Sequence, residues 1–200
     1  MWRSKRWWIF ILANTAQALG WFLPPLYLPT FAASLGLSPT VGSAMVACVN
    51  ASSVVSRLGL GILSDRMSPH RLGALAMLAS SASVLLLWGV AAPSLGALLS
   101  FALMLGLACG GWTSLYSAII RDTAKDDPRL ANTLFGLISL TRGVGSLLTA
   151  PLATFLINHP LAGASARTGF GVDRGDYGSM IVFAGVVLAL AAGLEGAVAL

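Results

Sequence analysis

VSRLGLGILSDRMSPHR, residues 55–71, carries the pattern that decides the fold. It opens inside a long apolar run, yet Arg57 stands in that run with no acid beside it. Two helical turns later come Asp65 and Arg66, then Ser68-Pro69 and the basic pair His70-Arg71, before apolar sequence resumes at Leu72. A greasy run that stops at a short charged stretch and then restarts is what a chain shows when it leaves a bilayer and re-enters it.

The same alternation extends in both directions. Of 200 residues 56% are hydrophobic and only 10% charged, with a mean hydropathy of +0.83, whereas soluble domains carry about 25% charged residues. A bilayer crossing takes about 20 mostly apolar residues, and six such runs are present, at approximately 7–28, 40–63, 71–92, 95–120, 131–157 and 179–200. Each must satisfy its own backbone in lipid, so each is expected to be a helix; none shows the period-two alternation of a barrel strand. The expected fold is therefore all-α: one polytopic membrane bundle of six transmembrane helices over residues 1–200.

Charge sets the expected topology. Arg3, Lys5, Arg6, Arg66, Arg71, Arg121, Lys125 and Arg129 fall on one side of the six runs, Arg167 and Arg174 on the other. The positive-inside rule then places both termini in the cytoplasm, in a plasma or organelle membrane. The net charge of +5 has this explanation, and the basic residues form no aromatic-lined polar surface for nucleic acid. MWRSKR followed by an apolar run has the form of a signal peptide, but the run continues to Leu28 and five more follow, so Trp2, Trp7 and Trp8 read as interfacial anchors.

The connections carry turn chemistry. Ser38-Pro39 looks like an N-cap followed by proline at the first helical position. Ala92-Pro93-Ser94 is a tight turn, Arg121–Leu130 a solvated loop, and 158–178 the longest connection. Pro24 and Pro25 are expected to kink or end the first helix, since each lacks an N–H donor. Ala102, Gly106 and Gly110 form a small-xxx-small packing seam. Asn14, Gln17, Asn50, Ser52, Ser53, Thr113, Ser114, Ser117, Ser139 and Thr141 are polar residues inside runs and read mainly as helix-to-helix hydrogen-bonding groups. The two cysteines, Cys48 and Cys109, lie in apolar runs with no metal or disulfide spacing. No cofactor is implied, no catalytic constellation stands out, and His70 and His159 fall in loops, so an enzyme is not expected.

Gly61, Asp65 and Arg66 in GILSDR, with Arg71 following, resemble the signature loop of the major facilitator superfamily: Gly-x-x-x-Asp-Arg and then a basic cluster. Here Ser68-Pro69 stands where that family usually has a second glycine. The stretches WWIFILANTAQALGWFLPPLYLPTFAASLGLSPT, SRLGLGILSDRMSPHRLG, LGLACGGWTSLYSAIIRD and TLFGLISLTRGVGSLLTAPLA resemble the second half of fungal monocarboxylate-transporter-like permeases. That resemblance implies helices seven to twelve of a twelve-helix carrier, a small organic anion as substrate, and an N-terminal six-helix half, or a second copy, as partner. Under it the signature loop contacts the other half, so the partner of Asp65 is expected outside this sequence. Gly61 is expected to let a neighbouring helix approach closely. Gly20-Trp21 and Gly111-Trp112 sit at matching places in the two three-helix repeats expected of such a carrier, and in the family those helices line the central cavity.

Two arginines remain unexplained by topology. Arg57 lies about 12 Å inside its helix from Asp65, and Arg142 about 16 Å in from Ala131, at 1.5 Å per residue. A charge at the centre of a span costs at least ~2.5–3.5 kcal/mol and normally finds a partner. None of the acids Asp65, Asp122, Asp126, Asp127, Asp173, Asp176 and Glu195 falls mid-span. In monocarboxylate transporters an arginine of the eighth helix engages the substrate carboxylate, and Arg57 falls at that place; snorkelling and pairing with a missing half are the alternatives. A planar guanidinium suits a carboxylate. Arg57, Arg142, Trp21, Trp112 and Asn50 are thus the candidate substrate-binding residues, and Gly61, Asp65, Arg66 and Arg71 the conformational loop. The family's aspartate, four residues before the arginine, is Ser53 here; serine does not exchange protons at physiological pH, so coupling to protons would not run through it. The chain also ends at Leu200 in an apolar run, which leaves a truncated, non-transporting fragment as the competing expectation.

Overall fold

The structure, a computed structural model, describes residues 5–199 except 126, 162, 164 and 166. Trp2, Arg3, Asp126 and Leu200 lie outside the described residues, as does the side chain of Arg174. Six helices are long and apolar enough to cross a membrane: α1 (Lys5–Ser34), α2 (Pro39–Ser64), α3 (Pro69–Val90), α4 (Leu95–Ala124), α5 (Pro128–Ile157) and α6 (Gly178–Ala199). No strand occurs among the described residues.

Turn chemistry sets several boundaries. Ser38 takes the extended N-cap conformation before Pro39, although its side chain makes no capping bond. Ser94 does cap α4, its Oγ accepting from the Ala97 amide at 3.1 Å. Asp127 caps α5, accepting from the amides of Arg129 and Leu130. An aspartate directly before a proline combines two helix-start signals, so the loop expected over Arg121–Leu130 narrows to the few residues between Ala124 and Pro128. His70 likewise lies not in a loop but in the first turn of α3, behind Ser68-Pro69.

The prolines of α1 do not end it: Pro24, Pro25 and Pro29 all lie inside the helix, which continues to Ser34. Each removes one backbone bond, but proline's fixed φ is helical and transmembrane helices tolerate the loss when neighbours pack around them. Here Pro29 meets α2 so closely that a Cβ on Gly42 would lie 3.1 Å from its Cα. The last part of α3, Ser83–Val90, widens into a π-helix. Within it Trp88 is fully buried, stacked on Phe101 at 5.2 Å and edge-on to Phe31 at 5.7 Å.

α1 packs against α6, α5 and α2; α3 packs against α6; α2 packs against α4. α4 breaks at Gly110-Gly111 and resumes through a short 3₁₀ turn, Trp112–Ser114. The expected small-residue seam is real and longer than expected. A Cβ on Gly106 would overlap the Ser52 hydroxyl and the Val49 carbonyl, one on Gly110 would overlap Ser53, and one on Gly111 would sit 2.6 Å from the Ser56 carbonyl. The close approach expected at Gly61 is not there: a Cβ on it would meet only Ser114, at 4.0 Å. Gly73 leaves room for the Trp112 ring instead.

Two apolar cores result. One, toward the end bearing the α1–α2 connection, joins Leu23, Phe31, Met45, Trp88, Phe101 and Leu188. The other, toward the basic end, joins Phe10, Met77, Trp112, Leu115, Ile138 and Ala191. Between them the chain is polar on every helix that contributes: Asn14 and Gln17 in α1, Ser80 and Ser81 in α3, Thr141 and Arg142 in α5.

Gly106→Val should strain the α2–α4 seam by about 1–3 kcal/mol, the usual cost of forcing volume into a packed site. It should lower the melting temperature in nanodiscs. Gly59→Ala, where nothing lies within 4 Å, should leave it unchanged or raise it.

Candidate functional site

The polar belt converges on Asn14, which is wholly buried. Its Oδ1 accepts from Trp112 Nε1 at 3.0 Å and from the Tyr116 hydroxyl at 2.5 Å. Its Nδ2 donates to the Ile138 carbonyl and to Thr141 Oγ1, each at 3.0 Å. One side chain of α1 therefore holds α4 and α5 in register. Gln17, one turn on and equally buried, repeats the device: Nε2 donates to Cys109 Sγ at 2.9 Å, while Oε1 accepts from Arg142.

That bond aims Arg142. Its guanidinium also lies 5.2 Å from the centre of the Phe22 ring, a cation–π contact. Arg142 is half-buried and lines an open cleft of about 430 Å³ between α1, α4 and α5, with Phe22, Tyr116, Phe135, Ser139 and Ser146. A second opening of about 350 Å³ continues from Phe22 and Ser146 to Pro25, Leu26 and Ala150 and is almost wholly apolar. Among the described residues no acid pairs with Arg142 or Arg57. A cation held by a neutral amide and an aromatic face is positioned but not neutralised, which suits an incoming anion.

The other sequence candidates are dispersed. Arg57 lies on the exposed face of α2, its Nε donating to the Gly110 carbonyl at 3.3 Å, at the break in α4. Asn50 is exposed on the same helix. Trp112 is buried behind the Arg142 cleft, bonded to Asn14, whereas Trp21 is half-buried against the other core. The two tryptophans thus occupy different environments, and neither lines the Arg142 cleft. In the signature loop Gly61 is half-buried, and Asp65, Arg66 and Arg71 are exposed. Asp65 has a partner within this chain after all: Arg121 of α4 lies 3.7 Å away. Both side chains are about 70% exposed, so this ion pair contributes little to stability, on the order of 0–1 kcal/mol.

Sequence reasoning missed two participants. Gln17 was legible only as a polar residue in a span; its role in aiming Arg142 depends on where α5 packs. The other is a largely buried hydrogen-bonded pair at the basic end, His70 Nδ1 to Glu195 Oε2 at 2.8 Å. Its signal was an acid in the otherwise uncharged run 179–200, which is costly and therefore informative. Among the described residues no group of three or more His, Cys, Asp or Glu could hold a metal ion.

The family model of the Major Facilitator Superfamily matches residues 10–195. The chain belongs to that superfamily. It is 31% identical over 181 residues to the MFS transporter asaE of Aspergillus flavus, covering 90% of this chain and 37% of the relative. It is 31% identical over 139 residues to the MFS-type transporter pynF of Aspergillus niger, covering 70% of this chain and 31% of the relative. Monocarboxylate transporter 3 of Rattus norvegicus is 27% identical over 186 residues, 91% of this chain and 36% of that protein. The match thus spans 31% to 37% of the length of these curated relatives.

Replacing Asn14 by leucine leaves Trp112 Nε1 and the Tyr116 hydroxyl without their acceptor. Each orphaned buried group costs about 1–3 kcal/mol, so Asn14→Leu should lower the melting temperature in nanodiscs and change tryptophan emission. Asn50→Leu, on an exposed face, should do neither.

Proposed function

We propose that this chain is one six-helix half of a secondary carrier that moves a small organic anion, a monocarboxylate, across the membrane by alternating access. The observation that carries the reading is Arg142: a deep guanidinium, held by Gln17 and Phe22, opening on a cleft that offers hydroxyls near the cation and apolar walls beyond it. That arrangement matches a carboxylate head with a short apolar body. Arg57 is the second cation of the proposal. Its one hydrogen bond among the described residues uses Nε, which leaves the terminal nitrogens of the fork for an anion or for an acid of a partner.

The completing half lies against α2 and α5 in this proposal. These two spans are the least buried of the six, at 22% and 17%, and they carry Val54, Leu58, Ile62, Phe135, Leu140 and Leu147 in exposed positions. A separate six-helix half or a second copy of the chain would cover them. By the positive-inside rule the basic end, with both termini, faces the cytoplasm.

The test is uptake of radiolabelled lactate, pyruvate and longer monocarboxylates by cells expressing the complete native polypeptide. Arg142→Gln should reduce uptake of the transported acid by at least about tenfold, the equivalent of 1.4 kcal/mol of lost anion binding. Arg142→Lys should restore it only in part, because a point charge replaces a planar fork. Uptake unchanged in Arg142→Gln and reduced in Arg57→Gln would move the anion site to α2. Uptake at background for the unsubstituted protein, once shown to be at the membrane, would favour a non-transporting fragment.

A further inference from the structure

We propose that His70 and Glu195 form a proton-binding site, buried at the basic end of the bundle and opened to the aqueous phase through the histidine ring. The site ties the first turn of α3 to the last turns of α6, with His70 Nδ1 and Glu195 Oε2 2.8 Å apart. Glu195 is completely buried, and its second oxygen, Oε1, is buried with no hydrogen-bond partner among the described residues. The His70 side chain is 19% exposed and stands edge-on to Phe10 at 5.9 Å. It borders two openings at this end of the molecule. One, of about 370 Å³, is lined also by Arg6, Trp7 and Asp122. The other, of about 560 Å³, is lined by Ser64, Ser68, Arg121, Asp122 and Lys125. Water therefore reaches the ring while the carboxyl group stays dry.

Proton counting gives the site its chemistry. Two lone-pair atoms cannot stand 2.8 Å apart unless a proton lies between them. With that single proton the pair carries one net negative charge, placed where desolvation makes it expensive. A second proton, arriving at the ring from the cavity, makes the pair neutral, and it leaves by the same route. Among the described residues no other group does this work. Glu195 is the only charged residue of α6, and α5 brings only Leu130 to the cavity wall. Arg6 from α1 and Arg121, Asp122 and Lys125 from α4 border the openings, and Arg71 follows His70 on α3, yet among the described residues only His70 pairs with Glu195. Acidification of this side therefore neutralises the junction and tightens α3 on α6; alkalinisation leaves a buried anion there and loosens it. Neither the anion cleft nor any transported molecule takes part in this site.

The experiment uses the complete native polypeptide in lipid nanodiscs, titrated between about pH 8 and pH 5, the range in which histidine side chains change charge in proteins. Infrared difference spectra on acidification should show a change in a buried carboxyl group, and the melting temperature should rise in step with it. Both signals should vanish in Glu195→Gln and in His70→Asn. The double variant, which sets one carboxamide against another, should fold and show a flat pH profile even if a single variant fails to fold. A flat profile in the unsubstituted protein would overturn the proposal and make the pair a fixed structural bond. Persistence of both signals in the double variant would equally overturn it, assigning the proton to another group. Because neither readout involves uptake, failure here is distinguishable from failure of the carrier reading.

Discussion

The Asn14 carboxamide holds this bundle in register. In a membrane, apolar side chains gain little by leaving lipid for one another, so packing and interhelical hydrogen bonds must specify which helix meets which. Asn14 uses both ends of its amide, accepting from Trp112 and Tyr116 on α4 and donating to Ile138 and Thr141 on α5. Shift any one of these three helices by a turn and at least two buried polar groups lose their partners. Gln17 applies the same constraint one turn further along and extends it to Arg142. The candidate anion site is thus an extension of the structural network.

Small residues do the complementary work. Where α2 crosses α4, Gly106, Gly110 and Gly111 admit Ser52, Ser53 and Ser56 at distances no side chain would allow. α4 breaks at the same glycine pair, and the carbonyl of Gly110 accepts from Arg57. The α2–α4 contact, the break in α4 and the anchoring of Arg57 therefore meet in a single seam. Ser53, the position where the resemblance would place an aspartate, is consumed in this packing; its hydroxyl bonds back to the Asn50 carbonyl.

The exposed surfaces divide by chemistry. The basic end carries Arg66, Arg71, Arg121 and Lys125 around polar openings, whereas the long faces of α2 and α5 are mostly apolar, interrupted on α2 by Asn50 and Arg57. Glu195 departs from this division, buried in an apolar helix with His70 as its counterpart. A bilayer-spanning helix tolerates such an acid only when something meets it, and here the partner comes from a helix start marked by Ser68-Pro69.

The amino-acid sequence alone was enough to determine six membrane-spanning helices, the basic end and the small-residue seam. Each of these is a local property: length of an apolar run, placement of lysine and arginine, spacing of glycines. It also singled out Arg142 and Arg57 as charges in need of partners, since an unpaired cation in an apolar span is costly in any bundle. Only the tertiary structure decided what those partners are. That Gln17 rather than an acid holds Arg142, that Asp65 meets Arg121, that His70 starts a helix and meets Glu195 125 residues away, and that α1 runs on through three prolines, all depend on which helix lies beside which. Helix adjacency in a bilayer is set by long-range hydrogen bonds and close packing, and neither leaves a periodic trace along the chain.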